Sequence, residues 1–500
     1  MAAFIKMGGI VTGTESLYSI PRPILLSTAA IIAILLYGTT VAFYRLYFHP
    51  LSRFPGPKLA AVTQWYEAYY ELASDGGHFT RHIKQLHEIY GPIVRINPSE
   101  IHIDDPDYHK IVYTALQPYD KMKSWENRFN IPNSTFSTCD HHLHKLRRAA
   151  INPFFTTRKM QGHGPFMQTL VDKICVRFRK EYAGQDKAVS LNDVYGCLTA
   201  DMITSLAFGR SYELLQKENW DSPLTKGMEA LVYSGPWMTQ LPWLVPAMNC
   251  IPEKVIKSLS PAFKPVLEFQ SEMRAQIKDL LSGRNEGIKS SAHATVFDDI
   301  LKSKLPPSEL TEDRLQNEAV SIIGAGLETT KFALTVASYH ILANPPVLER
   351  LRQELTRAIS EPDKIPQWTE LQQLPYLNAC VQERTPVSLD TYHMHHNEEV
   401  FPDSYTFKPE RWLDNPKGPD GQKQLSLYMT AFGKGTRQCL GMTMAIAEMY
   451  ITLATLFRRF DFTLFETGRK DVDFYHDMTT PQVKPGSLGV RVTVKLVSPS

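Results

Sequence analysis

The stretch Phe432-Gly-Lys-Gly-Thr-Arg-Gln-Cys439-Leu-Gly441 is the most informative part of the sequence. Apolar residues at helical spacing follow it over positions 442–457, so we expect Cys439 to lie at the N-terminus of a helix. There, the helix dipole and the free backbone N–H groups favour a thiolate, which is the form that binds metal. Gly433 and Gly435 allow a tight turn whose backbone can approach the sulfur. The stretch therefore indicates a metal–thiolate site.

A long helix with small residues at its centre is the second feature. Thr311 is a suitable N-cap, and helix-compatible sequence then runs to Asn344-Pro345, a length of about 50 Å. Each glycine in its central segment, Gly324-Ala-Gly-Leu-Glu-Thr-Thr330, costs about 1 kcal/mol relative to alanine. We expect these small residues to leave room for a flat group, with Glu328 and Thr329 beside it as a proton relay. The alternative is that the glycines allow close helix packing and that Glu-Thr-Thr is a solvated face.

Both segments resemble motifs of the cytochrome P450 superfamily. The cysteine stretch matches the family's haem-binding loop Phe-x-x-Gly-x-Arg-x-Cys-x-Gly at every fixed position, and the helix resembles its Ala-Gly-x-Glu/Asp-Thr segment. A buried structural cysteine in a glycine-rich turn is the alternative for the loop alone. The resemblance implies a mainly α fold with small β-sheets, in which one large domain holds haem b between the long helix and the cysteine loop.

The resemblance also implies roles for individual residues. Cys439 would be the axial thiolate ligand of the haem iron, Thr329 would steer protons to the oxygen site, and Glu328 would supply them. Arg437 and Arg148 would bind the haem propionates. The residues expected at the cofactor are Arg148, Ala325, Gly326, Phe432, Gly433, Arg437, Cys439 and Gly441.

Arg148 belongs to the segment His144-Lys-Leu-Arg-Arg-Ala-Ala-Ile, which resembles the family's haem-flanking helix. His144 stands where tryptophan is more usual in the family, four positions before Arg148 and therefore on the same helix face. Together with His141 and His142 it could form a histidine metal site, but no carboxylate or thiol completes such a set.

The N-terminal region predicts a membrane anchor. We expect a luminal segment over residues 1–22, a transmembrane helix over 23–44, a proline-rich hinge over 45–60 and the haem domain over 61–500. The 22 uncharged residues from Pro23 to Tyr44 would span about 33 Å as a helix, against a hydrocarbon core of about 30 Å. A cleaved signal peptide would have a shorter apolar region. Basic residues after the span weakly favour a cytosolic catalytic domain, as in a single-pass protein of the endoplasmic reticulum membrane.

One expected element is incomplete. The sequence Phe407-Lys-Pro-Glu-Arg-Trp412 resembles the family's Pro-Glu-Arg element, whose arginine completes a triad with a Glu-x-x-Arg helix. Here Glu383 is followed by Arg384-Thr-Pro386, so that proline stands where the second arginine of the triad is expected. The interval from Glu383 to Glu410 (410 − 383 = 27 residues) is shorter than in relatives. We expect that part of this helix and the strands after it are deleted.

Composition bears on two further questions, nucleic-acid binding and the redox state of the cysteines. The 54 basic and 52 acidic residues balance to a net charge of +2, which excludes the basic surface typical of nucleic-acid binding. The six cysteines include no Cys-x-x-Cys pair, which indicates free thiols in a reducing compartment.

The resemblance implies a monooxygenase that inserts one atom of dioxygen into an apolar small molecule. The hinge His49-Pro-Leu-Ser-Arg-Phe-Pro-Gly-Pro-Lys58 is similar to that of fungal microsomal oxygenases of secondary metabolism, of the trichodiene oxygenase type, which suggests a terpenoid or polyketide substrate. The sequence contains no recognisable dinucleotide or flavin fingerprint, so we expect electrons from NADPH through cytochrome P450 reductase, with cytochrome b5 and membrane lipid as further partners. The apolar stretch with Trp237, Leu241, Trp243 and Leu244 either contacts the membrane surface or packs in the core. The rival functions are a haem-thiolate isomerase or peroxygenase, and an inactive isoform that holds haem poorly.

Overall fold

The computed structural model describes residues 22–73, 75–114, 118–252, 255, 263–285, 287, 294–383 and 389–497. The chain divides into two units by its internal contacts. The smaller unit comprises residues 1–67 and 85–103, and the larger comprises residues 68–84 and 104–500.

The smaller unit contains the apolar N-terminal helix. Its described elements are helix α1 (Arg22–Tyr47), helix α2 (Lys58–Val62) and the antiparallel strands β1 (Ile93–Arg95) and β2 (Ile101–Ile103). Two further helices, α3 (Trp65–Leu72) and α4 (Phe79–Tyr90), contribute residues to both units. Helix α1 is long and apolar enough to cross a membrane and buries none of its residues. It contains the whole of the predicted span 23–44, whereas residues 1–21 lie outside the described part of the chain.

The larger unit is mainly helical. Its described helices are α5 (His109–Val112), α6 (His141–Ile151), α7 (Thr157–Glu181), α8 (Leu191–Phe208), α9 (Pro223–Gln240), α10 (Leu244–Asn249), α11 (Lys264–Leu281), α12 (Val296–Leu301), α13 (Glu312–Ala343), α14 (Pro345–Ala358), α15 (Trp368–Leu371), α16 (Pro375–Glu383), α17 (Leu389–His395) and α18 (Met442–Arg459). Its strands are β3 (Val189–Ser190), β4 (Phe460–Leu464), β5 (His476–Asp477), β6 (Pro481–Gln482) and β7 (Arg491–Leu496). They form an antiparallel sheet of order β3-β7-β4 and a separate β5–β6 pair, which confirms the expected mainly α fold with small sheets.

Helix α13 confirms the predicted long helix. The Thr311 side chain accepts a hydrogen bond from the backbone N–H of Arg314, and the helix ends at Ala343, before Asn344 and Pro345. Its most apolar stretch is also hydrophobic enough for a membrane span, but 72% of that stretch is buried, as expected of a core helix. It packs against α8, α9, α11 and α18, and so runs through the centre of the larger unit.

The glycines of α13 allow this close packing. A Cβ atom built on Gly324 would lie 2.5 Å from Sδ of Met228 on α9, and one on Gly326 would lie 2.8 Å from Cγ1 of Ile203 on α8. Both distances are shorter than real contacts, so a larger residue would force the Met228 or Ile203 side chain to move. For these two glycines the structure therefore favours the packing role that the sequence left as an alternative.

The region of the expected deletion is described only in part. Helix α16 ends at Glu383 and α17 begins at Leu389. Residues 384–388, which include Arg384 and Pro386, lie outside the described residues.

Candidate active site

The cysteine loop is built as the sequence predicts. Gly433 and Gly435 have φ angles of 65° and 69°, in the left-handed region that favours glycine, and a Cβ atom on Gly435 would collide with the carbonyl oxygen of Tyr113. The backbone N–H of Cys439 donates to the carbonyl oxygen of half-buried Phe432 at 2.7 Å. Two residues later, Gly441 forms the N-cap of α18. These turns bring the thiol to the start of a helix.

The electrostatics of Cys439 combine opposing effects. The side chain is accessible although it lies deep within the chain, so it faces an open cleft. Burial raises the pKa of the thiol, while the backbone N–H groups of Gly441 and Met442 and the charge of Arg148 act in the opposite direction. Cys439 thus combines the helix terminus that the sequence predicts with the burial that the sequence left as an alternative. A positively charged metal against the sulfur would add to the groups that favour the thiolate.

Basic groups collect beside this cleft. The Nη1 and Nη2 atoms of Arg437 each donate at 2.7 Å, to the carbonyl oxygens of Thr138 and Cys139. Its Nε atom is buried and has no hydrogen-bond partner among the described residues. Half-buried Arg148 interacts with Cys439 across the cleft. The backbone thus holds Arg437 in place while its Nε–H has no acceptor among the described residues. An anionic group could accept that hydrogen bond.

Lys121 belongs to the same cluster, although no sequence motif pointed to it. Its Nζ atom donates to the carbonyl oxygen of Phe136 at 2.7 Å. Burial and the neighbouring Arg437 lower the pKa of Lys121 to about 8. Burial and the same arginine also lower the pKa of the buried His144 to about 3. Positive charges placed this close together repel one another. A ligand with carboxylate groups, such as the propionates of haem, would relieve that repulsion.

Helix α13 supplies an open face. Ala325 and Thr329, four residues apart and so on one side of the helix, are exposed, and Gly326 is half-buried. The adjoining Leu327 and Glu328 are buried. The Thr329 Oγ1 atom donates to the carbonyl oxygen of Ala325 at 2.8 Å. A mid-helix patch that is accessible inside a buried helix is the kind of surface against which a flat cofactor can lie.

Glu328 faces a different partner. Its Oε2 atom lies 2.8 Å from Nζ of Lys331, which also contacts Oε1 of Glu229 on α9 at 2.7 Å. Burial raises the pKa of Glu328, and the cation of Lys331 opposes that rise. Burial likewise disfavours the charge of Lys331, but Glu328 and Glu229 outweigh it and hold its pKa above the ordinary range. The alternative of a solvated Glu-Thr-Thr face is therefore excluded for Glu328, because this acid is buried in an ion-pair triad.

Sequence reasoning identified Glu328 but missed the other two members of the triad. Lys331 follows Glu328 by three positions, a spacing that permits an ion pair on one helix face. Glu229 is distant in sequence and reaches the site only through the packing of α9 against α13. The i, i+3 spacing was therefore the one local signal available.

Glu383 retains part of its expected network. Its Oε2 atom lies 2.9 Å from Nε of Arg411 and accepts from Nε1 of Trp412 at 2.6 Å. Both side chains of the Glu383–Arg411 pair are buried, with 6% and 10% of their surface exposed. The pair borders a cavity of about 280 Å³, which is also lined by Tyr392 and His395 of α17.

Replacement of Lys331 by methionine tests the triad. We expect Lys331→Met to lower the free energy of unfolding by about 3–5 kcal/mol, because Glu328 loses the cation that compensates its burial. The loss should grow as pH rises: without Lys331, which lowers the pKa of Glu328, that pKa rises further, and the folded variant then holds a proton that the unfolded chain releases. Urea denaturation at several pH values measures both effects.

Lys302→Met is the matched control for this substitution. Lys302 contacts Asp298 at 2.6 Å, but its side chain is 72% exposed, so its loss should cost about 1 kcal/mol or less. Equal destabilisation by the two substitutions would contradict the role of Lys331.

Comparison with known proteins assigns the family. The family model described as Cytochrome P450 matches residues 62–385 and 384–487. The chain is 39% identical to cytochrome P450 monooxygenase MO6277 of Ascocoryne sarcoides, over 92% of this chain and 97% of that protein. It is 38% identical to cytochrome P450 monooxygenase orf6 of Eupenicillium brefeldianum, over 93% and 98% of the two chains. Tryptophan 6-hydroxylase fscE of Fusarium equiseti is 35% identical, over 91% and 94%. The chain therefore belongs to the cytochrome P450 family, whose members are monooxygenases that use haem with a cysteine thiolate ligand.

Proposed function

We propose that this protein is a haem-thiolate monooxygenase of fungal secondary metabolism in which Cys439 is the axial ligand of the iron. The observation that carries the proposal is the position of the Cys439 thiol, accessible in a cleft and directed at the backbone N–H groups of Gly441 and Met442. Phe432, Gly433 and Gly441 shape the loop around it. When bound, haem supplies the reductive activation of dioxygen and the insertion of one oxygen atom into the substrate.

Arg437 and Arg148 bind the haem propionates in this proposal, and Lys121 joins them. Two observations support this assignment. The Nε atom of Arg437 has no hydrogen-bond partner among the described residues, and a propionate could accept its hydrogen bond. The pKa of Lys121 is lowered, and a neighbouring anion would stabilise its charged form. Ala325 and the half-buried Gly326 provide the surface on the other side of the cofactor.

Proton delivery falls to Thr329 and Glu328. The Thr329 hydroxyl lies on the open face of α13, where rotation of its side chain can pass a proton from water to the reacting oxygen. Glu328 holds a proton or a negative charge according to how strongly Lys331 engages it. Adjacent residues on a helix point about 100° apart, so water must connect Glu328 with the Thr329 hydroxyl.

The redox partners and the location in this proposal are those expected of the family and of an N-terminal anchor. In this proposal NADPH–cytochrome P450 reductase supplies electrons, cytochrome b5 assists, and a single pass of α1 holds the protein in the endoplasmic reticulum membrane with its catalytic domain in the cytosol. The exposed apolar surface of α1 supports the anchor. Trp237 and Trp243, 48% and 63% exposed, support a second contact with lipid at the substrate entrance.

The substrate in this proposal is an apolar small molecule of the terpenoid or polyketide class. The name of the Fusarium equiseti relative, a tryptophan 6-hydroxylase, adds an aromatic amino-acid derivative to the compounds to be tried.

Replacement of Cys439 tests the ligand. We expect Cys439→Ala to abolish the red-shifted Soret band of the reduced CO complex, because the described residues of the loop offer no other soft anionic ligand. Cys250→Ala, at an exposed free cysteine, is the control and should leave the band unchanged. A thiolate band that persists in Cys439→Ala would assign the ligand to another cysteine.

Replacement of Thr329 tests the reaction class. With NADPH and reductase, Thr329→Ala should keep its haem but form roughly tenfold less product per NADPH consumed. The reason is that protons no longer reach the oxygen site as fast as electrons arrive. Thr329→Ser retains the hydroxyl and should restore most of the yield. An unchanged yield would remove Thr329 from the relay, and equal turnover with peroxide alone or without any oxidant would favour a peroxygenase or an isomerase.

We further propose that this chain lacks a segment after Glu383 and holds haem poorly as a result. The cavity between Glu383 and α17 supports this, since a missing helix end and strands would leave unfilled volume there. The family match supports it too, because it consists of two segments that meet at residues 384 and 385. The Glu-x-x-Arg pair of relatives has here only Glu383, with Arg411 as its partner from the later element.

Insertion of a relative's segment tests the deletion. We expect the 500-residue chain to bind haem at low occupancy, and the corresponding segment of the Ascocoryne sarcoides relative, inserted after Glu383, to raise occupancy and solubility. The reason is that unfilled volume in a core typically costs about 2–5 kcal/mol, out of about 5–15 kcal/mol for a domain. A scrambled insert of equal length is the control. Full haem occupancy and turnover in the unmodified chain would contradict the proposal.

A further inference from the structure

Three potential metal ligands meet at residues that have no role in the proposed haem site. Nε2 of His78 lies 2.8 Å from Oδ1 of Asp75, and Nε2 of His476, on β5, lies 3.9 Å from Oδ2 of the same carboxylate. The three ligand atoms all lie within 4.8 Å of one another. Among the described residues this is the one group of three or more histidine, cysteine and carboxylate side chains close enough to share an ion.

His476 is prepared for ligation by its surroundings. It is fully buried, and its Nδ1 atom lies 2.7 Å from the carbonyl oxygen of Gly76, which can only accept a hydrogen bond. Nδ1 therefore carries the proton, and Nε2 has its lone pair free. That Nε2 atom is buried, has no hydrogen-bond partner among the described residues and is directed at Asp75. A histidine whose other nitrogen donates to a backbone carbonyl is the usual arrangement of a metal ligand.

The backbone holds the three ligands together without any ion. The turn that carries Asp75 and His78 contains Gly76 and Gly77, with φ angles of 75° and 65° that favour glycine. The N–H of Asp477, the residue after His476, donates to the carbonyl oxygen of Gly77 at 2.8 Å. The turn and strand β5 are thus joined by main-chain bonds, so little ordering would be needed for binding.

A hydrogen-bonded Asp75–His78 pair accounts for only part of this arrangement. It satisfies two of the side chains but leaves a buried imidazole nitrogen unpaired, which typically costs about 1–3 kcal/mol. Tetrahedral ligands about 2.0–2.1 Å from a zinc ion are roughly 3.3 Å apart, and the separations of 2.8 and 3.9 Å lie on either side of that value. Small movements of the exposed Asp75 and the half-buried His78 would suffice to reach it.

We propose that Asp75, His78 and His476 bind a divalent transition metal, best Zn²⁺, with water as the fourth ligand. Two imidazoles and one carboxylate suit zinc and disfavour Mg²⁺, which prefers oxygen ligands. The ion would fasten the 75–78 turn to β5. Because Asp477 also lines the 280 Å³ cavity, metal binding would stiffen one wall of that cavity. This proposal is independent of haem binding.

Zinc binding by the purified full-length chain, expressed without a histidine tag and treated with a chelator, tests the site. Equilibrium dialysis with Zn²⁺ alone should find one more tightly bound ion per chain in the wild type than in Asp75→Asn or His78→Gln. These side chains are accessible, so the variants should fold, and each should weaken the site by at least about tenfold. Zn²⁺ should also raise the melting temperature of the wild type more than that of either variant, and Mg²⁺ should raise neither.

His142→Gln, at an exposed histidine elsewhere, is the matched control and should bind zinc as the wild type does. Zinc stoichiometry and affinity that are the same in wild type, Asp75→Asn and His78→Gln would overturn the proposal, since the ion would then be held by other groups such as the accessible cysteines. Neither result depends on haem content, so a failure here is separate from a failure of the proposed monooxygenase activity.

Discussion

The close approach of α8 and α9 to α13 is the constraint on which the site depends. At Gly324 and Gly326 no side chain separates α13 from Met228 and Ile203, so the neighbouring helices press against two sides of its middle turn. Because those sides are covered, the remaining side, with Ala325 and Thr329, is the one left accessible. The glycines thus determine which face of α13 stays open, because they let the neighbouring helices cover the other faces. Each glycine costs helix propensity, and the burial of three packed helices outweighs that cost.

The same packing determines the electrostatics around Glu328. Helix α9 brings Glu229 to Lys331, which is already paired with Glu328, and the buried Glu328–Lys331 pair has no net charge to desolvate, unlike a lone ionised acid. Glu229 is itself 43% exposed. The triad therefore extends from solvent into the core, and changes at its outer end can alter how firmly Lys331 holds Glu328 without any movement at the Thr329 hydroxyl.

Local features of the site could be predicted from the sequence, because they depend on residues close together in the chain. The N-cap at Thr311, the left-handed glycines of the cysteine loop and the helix after Gly441 follow from dihedral preferences and capping chemistry. Lys121 and Glu229 could not be found in this way, since each becomes relevant only when a distant segment packs beside Arg437 or Lys331. The packing of Gly324 and Gly326 against α9 and α8 remained one of two alternatives at that stage, because one sequence shows that space is needed and not what fills it.

The Glu383 region shows how both charges of a buried ion pair can be satisfied by nearby groups. Arg411 donates to the carbonyl oxygens of Pro402, Asp403 and Thr406 as well as contacting Glu383, so its guanidinium is satisfied from within its own loop. Glu383 in turn takes Trp412 as a second donor. Each charge of the pair is therefore compensated. The cavity beside the pair is lined by Phe332 and Val336 of α13, and apolar side chains that border unfilled space lose the packing that would otherwise hold them. If a segment is missing after Glu383, as we propose, its cost therefore lies in lost packing against the central helix more than in an uncompensated charge, and the same helix carries the open face proposed to lie against haem.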